Sequence, residues 1–218
     1  MWGFLSRLLI IECVLVALLF GSAGRWDLPW FWALVGVHAT GLFLMGLVID
    51  PELRRERLKP GPGAKDAFIR KLLLPFLFAH VIVAGLDVGR FGWSGSTSWP
   101  SHAAGLGFYA LGLGLSVWAM ATNRFFSPVV RHQTERGHHV VSSGPYRLVR
   151  HPGYAGLILS AFSGGVAMGS WWSLAPLLPI LWILIWRIRM EERFLREKLD
   201  GYDSYADRVR YRLCPGVW

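Results

Sequence analysis

Cysteine is nearly absent from this chain, with two in 218 residues. Cys13 falls inside an apolar run and Cys214 in a basic tail, so no disulfide framework holds the fold, and both thiols read as packing or surface groups. Charge is also scarce. Charged residues make up 17%, and Asp and Glu together number 14, against roughly 25% charge in an ordinary soluble domain. With 53% hydrophobic residues and 12 Trp, the chain is too apolar for a soluble domain of this length. It also lacks a nucleotide loop. Gly105-Leu-Gly107 is the tempting glycine pair, but no strand precedes it and it lies within an apolar run, which excludes the strand–turn–helix phosphate cradle. His132, His138, His139 and His151 crowd together, yet no Cys or carboxylate completes a ligand set beside them. Arg131, Arg136, Arg147 and Arg150 would oppose a dication, so no metal is expected.

What is present is a series of apolar runs, several approaching the roughly 20 residues that cross a bilayer as a helix. They cover about Trp2 to Phe20, Pro29 to Ile49, Leu72 to Val88, His102 to Thr122, Pro152 to Met168, and a last run ending near Trp186. The fold class expected is all-α: a polytopic transmembrane helical protein of about six spans. The first run, with Arg7 as the only basic residue at its start and Glu12 within it, reads as a retained helix, although Gly21-Ser-Ala-Gly24 supplies the small residues of a cleavage site. The net charge of +9 is spread over loops between spans, where the positive-inside rule puts it; a nucleic-acid partner is not expected. Placing both termini in the cytosol leaves Arg25 and Arg90 as the only two of 23 Lys and Arg on the far side. The stretch from Pro51 to Lys71, with seven basic residues and a Pro-Gly break, reads as an exposed cytosolic loop. Gly165 with Gly169, and Gly105, Gly107, Gly112 and Gly114, thin two helices for close backbone approach. His38, His80 and Asp87 are polar groups within spans and so functional candidates; for His80 a helix–helix hydrogen bond is the plainer reading.

Two polar clusters carry the chemistry. The first, Gly137 to Gly156, turns at Gly144-Pro145 and brings Arg147, Arg150 and His151 to a helix start at Pro152, where a proline's missing N–H costs nothing. That start offers unpaired N–H groups, a seat for a carboxylate, flanked by Tyr146 and Tyr154. The second runs from Arg187 to Arg193. Arg187 and Glu191 lie four apart, on one helix face, and a short turn between the last two runs returns this end to the leaflet of His151. The chain thus divides into anchoring helices over 1–122 and a cofactor-binding catalytic region with a cytosolic tail over 123–218.

The spacing His138-x-Val140-Val141-x-x-Gly144-x-Tyr146, then Arg150-His151-Pro152-x-Tyr154-x-Gly156, then Arg187-x3-Glu191-Glu192 resembles the isoprenylcysteine carboxyl methyltransferase family. Asn123-Arg-Phe-Phe-Ser-Pro128 and Tyr211-Arg-Leu-Cys-Pro-Gly-Val-Trp218 resemble its bacterial members in particular. The likeness covers Asn123 to Trp218; the earlier helices match only as helices. It implies a membrane methyltransferase using S-adenosylmethionine without a soluble Rossmann domain, in a bacterial inner membrane with its active site facing the cytosol. By motif, Gln133, His138, His139, Val140, Val141, Tyr146, His151, Pro152, Tyr154 and Glu191 would contact the cofactor, and Arg187 would face the acceptor's carboxylate. A lipophilic or lipidated acceptor would enter from the bilayer. A phospholipid or thiol methyltransferase on the same scaffold is the neighbouring reading. An NADPH-dependent sterol-type reductase shares Arg-His-x-x-Tyr-x-Gly, but places an acid where this chain has Leu157. A scaffold or transporter is the third class, and the chain shows no inverted repeat for it.

Overall fold

A computed structural model describes residues 2–63 and 66–218. Eight α-helices account for most of them: α1 (Trp2–Ala23), α2 (Pro29–Val48), α3 (Pro51–Leu58), α4 (Ala67–Leu86), α5 (Trp99–Thr122), α6 (Pro152–Met168), α7 (Leu177–Lys198) and α8 (Tyr202–Arg208). Among the described residues there is no strand. Local chemistry sets several ends. Asp50 caps α3 by accepting the Glu52 and Leu53 N–H groups, with Pro51 in the first turn. Ser98 does the same for α5, and α6 stops where Gly169 turns left-handed at φ +81°.

Five segments are long and apolar enough to cross a membrane: Ser6–Ala23, Pro29–Val48, Lys71–Phe91, Trp99–Thr122 and Trp172–Lys198. These carry large apolar side chains facing outward, among them Leu9, Phe43, Leu47, Leu111 and Trp182, a surface suited to lipid rather than water. The protein is an integral membrane protein. Of the six expected runs, the one that falls short is α6. Its 17 residues give about 25 Å at 1.5 Å each, less than the roughly 30 Å of hydrocarbon. The last helix does not end near Trp186 but continues to Lys198, so both members of the second polar cluster ride on one rigid rod.

The tightest packing joins α5 to α6. A Cβ on Gly156 would lie 2.5 Å from the Gly112 carbonyl oxygen, and one on Gly105 would lie 2.5 Å from the Ala167 nitrogen. Gly107 and Gly114 face open space, and Gly165 packs on the turn at Ser173 and Leu174 rather than on a neighbouring helix. Helix α4 packs between α1 and α7. The three intramembrane polar groups His38, His80 and Asp87 each have a partner. His38 Nδ1 meets Glu12 Oε2 at 2.7 Å, His80 Nδ1 meets the Ser173 carbonyl at 2.7 Å, and Asp87 accepts the Ser94 and Ser170 hydroxyls at 2.5 and 2.6 Å.

The stretch after α2 is not an exposed loop. Its Leu53, Glu56, Asp66 and Ile69 are buried. Glu56 forms a two-pronged pair with Arg131 at 2.9 and 2.6 Å and accepts the Ser127 hydroxyl at 2.7 Å. Its basic residues suggested exposure; the burial of its own Glu56 against Arg131, 75 residues further on, reversed it.

Candidate active site

The segment from Asn123 to Arg150 has little regular structure, so side chains hold its backbone. Asn123 Oδ1 accepts the Phe125 N–H at 2.9 Å. Gln133 donates to the Phe125 carbonyl at 2.8 Å and accepts from Arg136 Nη1 at 2.5 Å. Arg131, besides Glu56, reaches Glu135 at 2.6 Å. Burial pushes the Glu56 carboxyl up, but the bonds from Arg131, Ser127 and the Gly61 N–H outweigh it and hold the pKa at about 2. His138 packs against the Phe125 ring at 4.6 Å. Burial first, then its neighbours His132, His139, Arg131 and Arg136, hold its pKa at about 4, so it is neutral at pH 7.

This segment closes over the ends of α4, α5, α6 and α7 to enclose a cavity of about 480 Å³, within the roughly 300–1,000 Å³ of small-molecule sites. Gln133, His138, His139, Val140, Val141, Tyr146, His151, Tyr154, Glu191 and Arg187 all contribute to its wall. Pro152 opens α6 without lining the cavity. Residues before Asn123 contribute too: Arg57 of α3, Leu73 and Leu77 of α4, Ser116 and Met120 of α5.

Arg187 and Glu191 share a face of α7 but do not pair with each other. The Tyr154 hydroxyl donates to Glu191 Oε2 at 2.8 Å, while its ring lies 5.7 Å from the Arg187 guanidinium. Arg187 Nη2 instead donates to the Pro128 carbonyl at 2.8 Å and lies 2.9 Å from Asp66 Oδ2. The two are therefore an anion and a cation separated by an aromatic ring, both bordering one cavity.

Glu192, one residue on, points to the other side of α7 and is buried. It binds Arg150 Nε at 2.6 Å, Arg212 Nε at 2.7 Å and His151 Nε2 at 3.2 Å. The backbone follows: the Arg150 and His151 N–H groups donate to the Tyr211 and Arg212 carbonyls, each at 2.9 Å, and Arg150 Nη1 donates to the Val209 and Arg210 carbonyls. This network fixes the start of α6 and docks the tail. Arg147 is exposed and takes no part. Sequence reasoning missed Asp66 and Glu192. The signal for Glu192 was available, since buried Arg150 and His151 require a carboxylate; Asp66 lay in the stretch read as exposed.

The donor set suits a ligand with one cationic and one aromatic part. Glu191 supplies a carboxylate, Tyr146 and Tyr154 offer ring faces, and the neutral His138 imidazole lies on the same wall. Arg187 Nε is buried with no hydrogen-bond partner, and the Arg187 side chain lines the cavity. Leu73, Leu77 and Leu157 form an apolar side shared with a smaller cleft running between α4, α6 and α7. Among the described residues no three His, Cys, Asp or Glu side chains gather to hold a metal.

Residues 100–200 match a family model described as phospholipid methyltransferase. Two rice proteins, from Oryza sativa subsp. indica and subsp. japonica, both named probable protein-S-isoprenylcysteine O-methyltransferase, are 33% identical over 118 residues. That is 53% of this chain and 62% of theirs. The protein-S-isoprenylcysteine O-methyltransferase of Schizosaccharomyces pombe is 32% identical over 111 residues, 50% of this chain and 47% of that one. The matched part of the chain thus spans less than two thirds of these relatives. The family resemblance read from the motifs is borne out.

Proposed function

The chain is a relative of these methyltransferases through residues 100–200, and from that premise we propose that it transfers a methyl group from S-adenosylmethionine to the carboxylate of a lipophilic, isoprenylcysteine-like acceptor. The observation that carries the reading is convergence. Ten of the eleven residues that the motifs single out, drawn from three separate stretches, line one cavity at one end of the helices. That cavity has an anion, a cation and an apolar flank.

When bound, S-adenosylmethionine supplies a methyl group activated on a sulfonium; displacement by a carboxylate oxygen forms the ester and leaves a neutral thioether, with no proton to remove. The protein's task is therefore alignment and exclusion of water. Glu191, held by Tyr154, complements the donor's positive groups, and neutral His138 adds no opposing charge. Arg187 holds the acceptor's carboxylate by charge-assisted hydrogen bonding. Leu73, Leu77 and Leu157 offer its apolar part a path from the bilayer. In this reading the donor enters from the cytosol of a bacterial cell across the inner membrane's inner face.

Calorimetry with S-adenosylhomocysteine on detergent-purified protein tests the cofactor. We expect binding, with NADPH giving no heat; the reverse result overturns the reading. The match of residues 100–200 to a phospholipid methyltransferase model favours one second reading, a phospholipid amine as acceptor, for which Arg187 would be dispensable.

A further inference from the structure

Asp66 lies in neither polar cluster, just before α4, and its side chain is completely buried. Its two oxygens serve different elements. Oδ1 accepts the Val130 N–H at 2.6 Å, on the segment that roofs the cavity. Oδ2 lies 2.9 Å from Arg187 Nη2 on α7, the nitrogen that also donates to the Pro128 carbonyl at 2.8 Å. One carboxylate thus bonds the roof and, by an ion pair rather than an aligned hydrogen bond, holds the guanidinium beside it. Nε, on the same edge of the guanidinium as Nη2, is buried without a hydrogen-bond partner, and the Arg187 side chain lines the cavity.

We infer that Asp66 is a positioning residue for methyl transfer: through Nη2 it holds the angle of the Arg187 guanidinium, so that the acceptor's carboxylate is presented in line with the methyl group. This rests on reading Arg187 as the acceptor's anchor and extends it to a residue outside the catalytic motif. The physical consequence is a split between binding and turnover. Asp66 holds the guanidinium's angle, and its negative charge also opposes an incoming carboxylate. Removing that charge leaves the attraction for the acceptor intact or greater, because Coulomb attraction needs no particular angle. In-line displacement does need one, and displacement of a reacting group by about 1 Å can cost on the order of a hundredfold in rate.

The test uses full-length Asp66→Asn protein, which keeps an oxygen for Val130, with S-adenosylmethionine and N-acetyl-S-farnesylcysteine as the probe acceptor. Arg187→Ala and wild type are measured beside it. We expect kcat to fall about tenfold or more while acceptor KM stays within about twofold or decreases, and S-adenosylhomocysteine affinity stays within about twofold. Asp66→Glu, which restores the charge one methylene away, should recover part of kcat; if Asp66→Asn does not fold, a loss of kcat in Asp66→Glu with cofactor affinity retained carries the same weight. Unchanged kcat in the folded variants, beside an inactive Arg187→Ala, overturns the role of Asp66 alone. A loss of kcat matched by an equal loss of cofactor affinity makes Asp66 merely structural and also overturns it. Wild type inert towards this acid, or Arg187→Ala as active as wild type, overturns the acceptor reading and the inference built on it.

Discussion

Arg187 and Glu191 are one helical turn apart, yet each is committed to different neighbours, Arg187 to Asp66 and Pro128 and Glu191 to Tyr154. That separation makes their substitutions distinguishable. Arg187→Ala should reduce methyl transfer to an acid at least about a hundredfold with S-adenosylhomocysteine affinity nearly intact, and Arg187→Lys should rescue poorly because Lys lacks the fork. Glu191→Gln should weaken cofactor binding itself. Calorimetry paired with turnover decides, and equal cofactor losses in both variants would refute the division. Glu56 makes a prediction in pH. Its carboxyl is held at about 2 instead of 4.5, so its stabilising contribution is complete above pH 4.5 and disappears as pH falls towards 2. Glu56→Gln should cost roughly 3 kcal/mol at pH 7, the scale for breaking one side of a buried pair. The gap from wild type in thermal unfolding should narrow between pH 4.5 and 2.

Among the helices, α5 and α6 approach closely at Gly112 and Gly156, where no side chain fits. Such contact compensates for the absence of a hydrophobic force between helices in lipid. Gly156→Ala should push the pair apart and cost about 1–3 kcal/mol by overpacking. Gly114→Ala, on the same α5 but facing open space, should leave the melting temperature unchanged or slightly raised. Because α6 begins at His151, the first variant should also weaken cofactor binding; the control should not.

Across the whole molecule, the ends that bear the site lie together. Ile49 after α2 packs on Met120 of α5; Asn123 and Tyr202 border the same cavity; and the Trp218 carbonyl accepts from Arg212, which binds Glu192. Reporters fused after Val48, Asn123 and Trp218 should therefore all read the same side, and the distribution of Lys and Arg makes that side the cytosol. A reporter after Trp218 that reads translocated would contradict the arrangement.

Composition and periodic apolar runs were enough for an all-helical membrane protein, because a bilayer leaves a backbone with few other choices. Motif spacing likewise picked out ten of the residues that line the cavity, since His151 and Tyr154 at one helix start, and Arg187 and Glu191 on one helix face, are local relations that a sequence displays. Relations across distance were not visible. Glu56 with Arg131, Asp66 with Arg187, and Glu192 with Arg150 and Arg212 join residues up to 121 apart in sequence. A carboxylate in a basic stretch looks solvated until a folded partner excludes water from it. Packing also decided which glycines meet a neighbouring helix and which face open space, because that depends on where another backbone passes rather than on glycine itself. The sequence supplied the groups; the folded chain alone determined which charge each would neutralise, and which donors, Nε of Arg187 among them, it would leave unpaired.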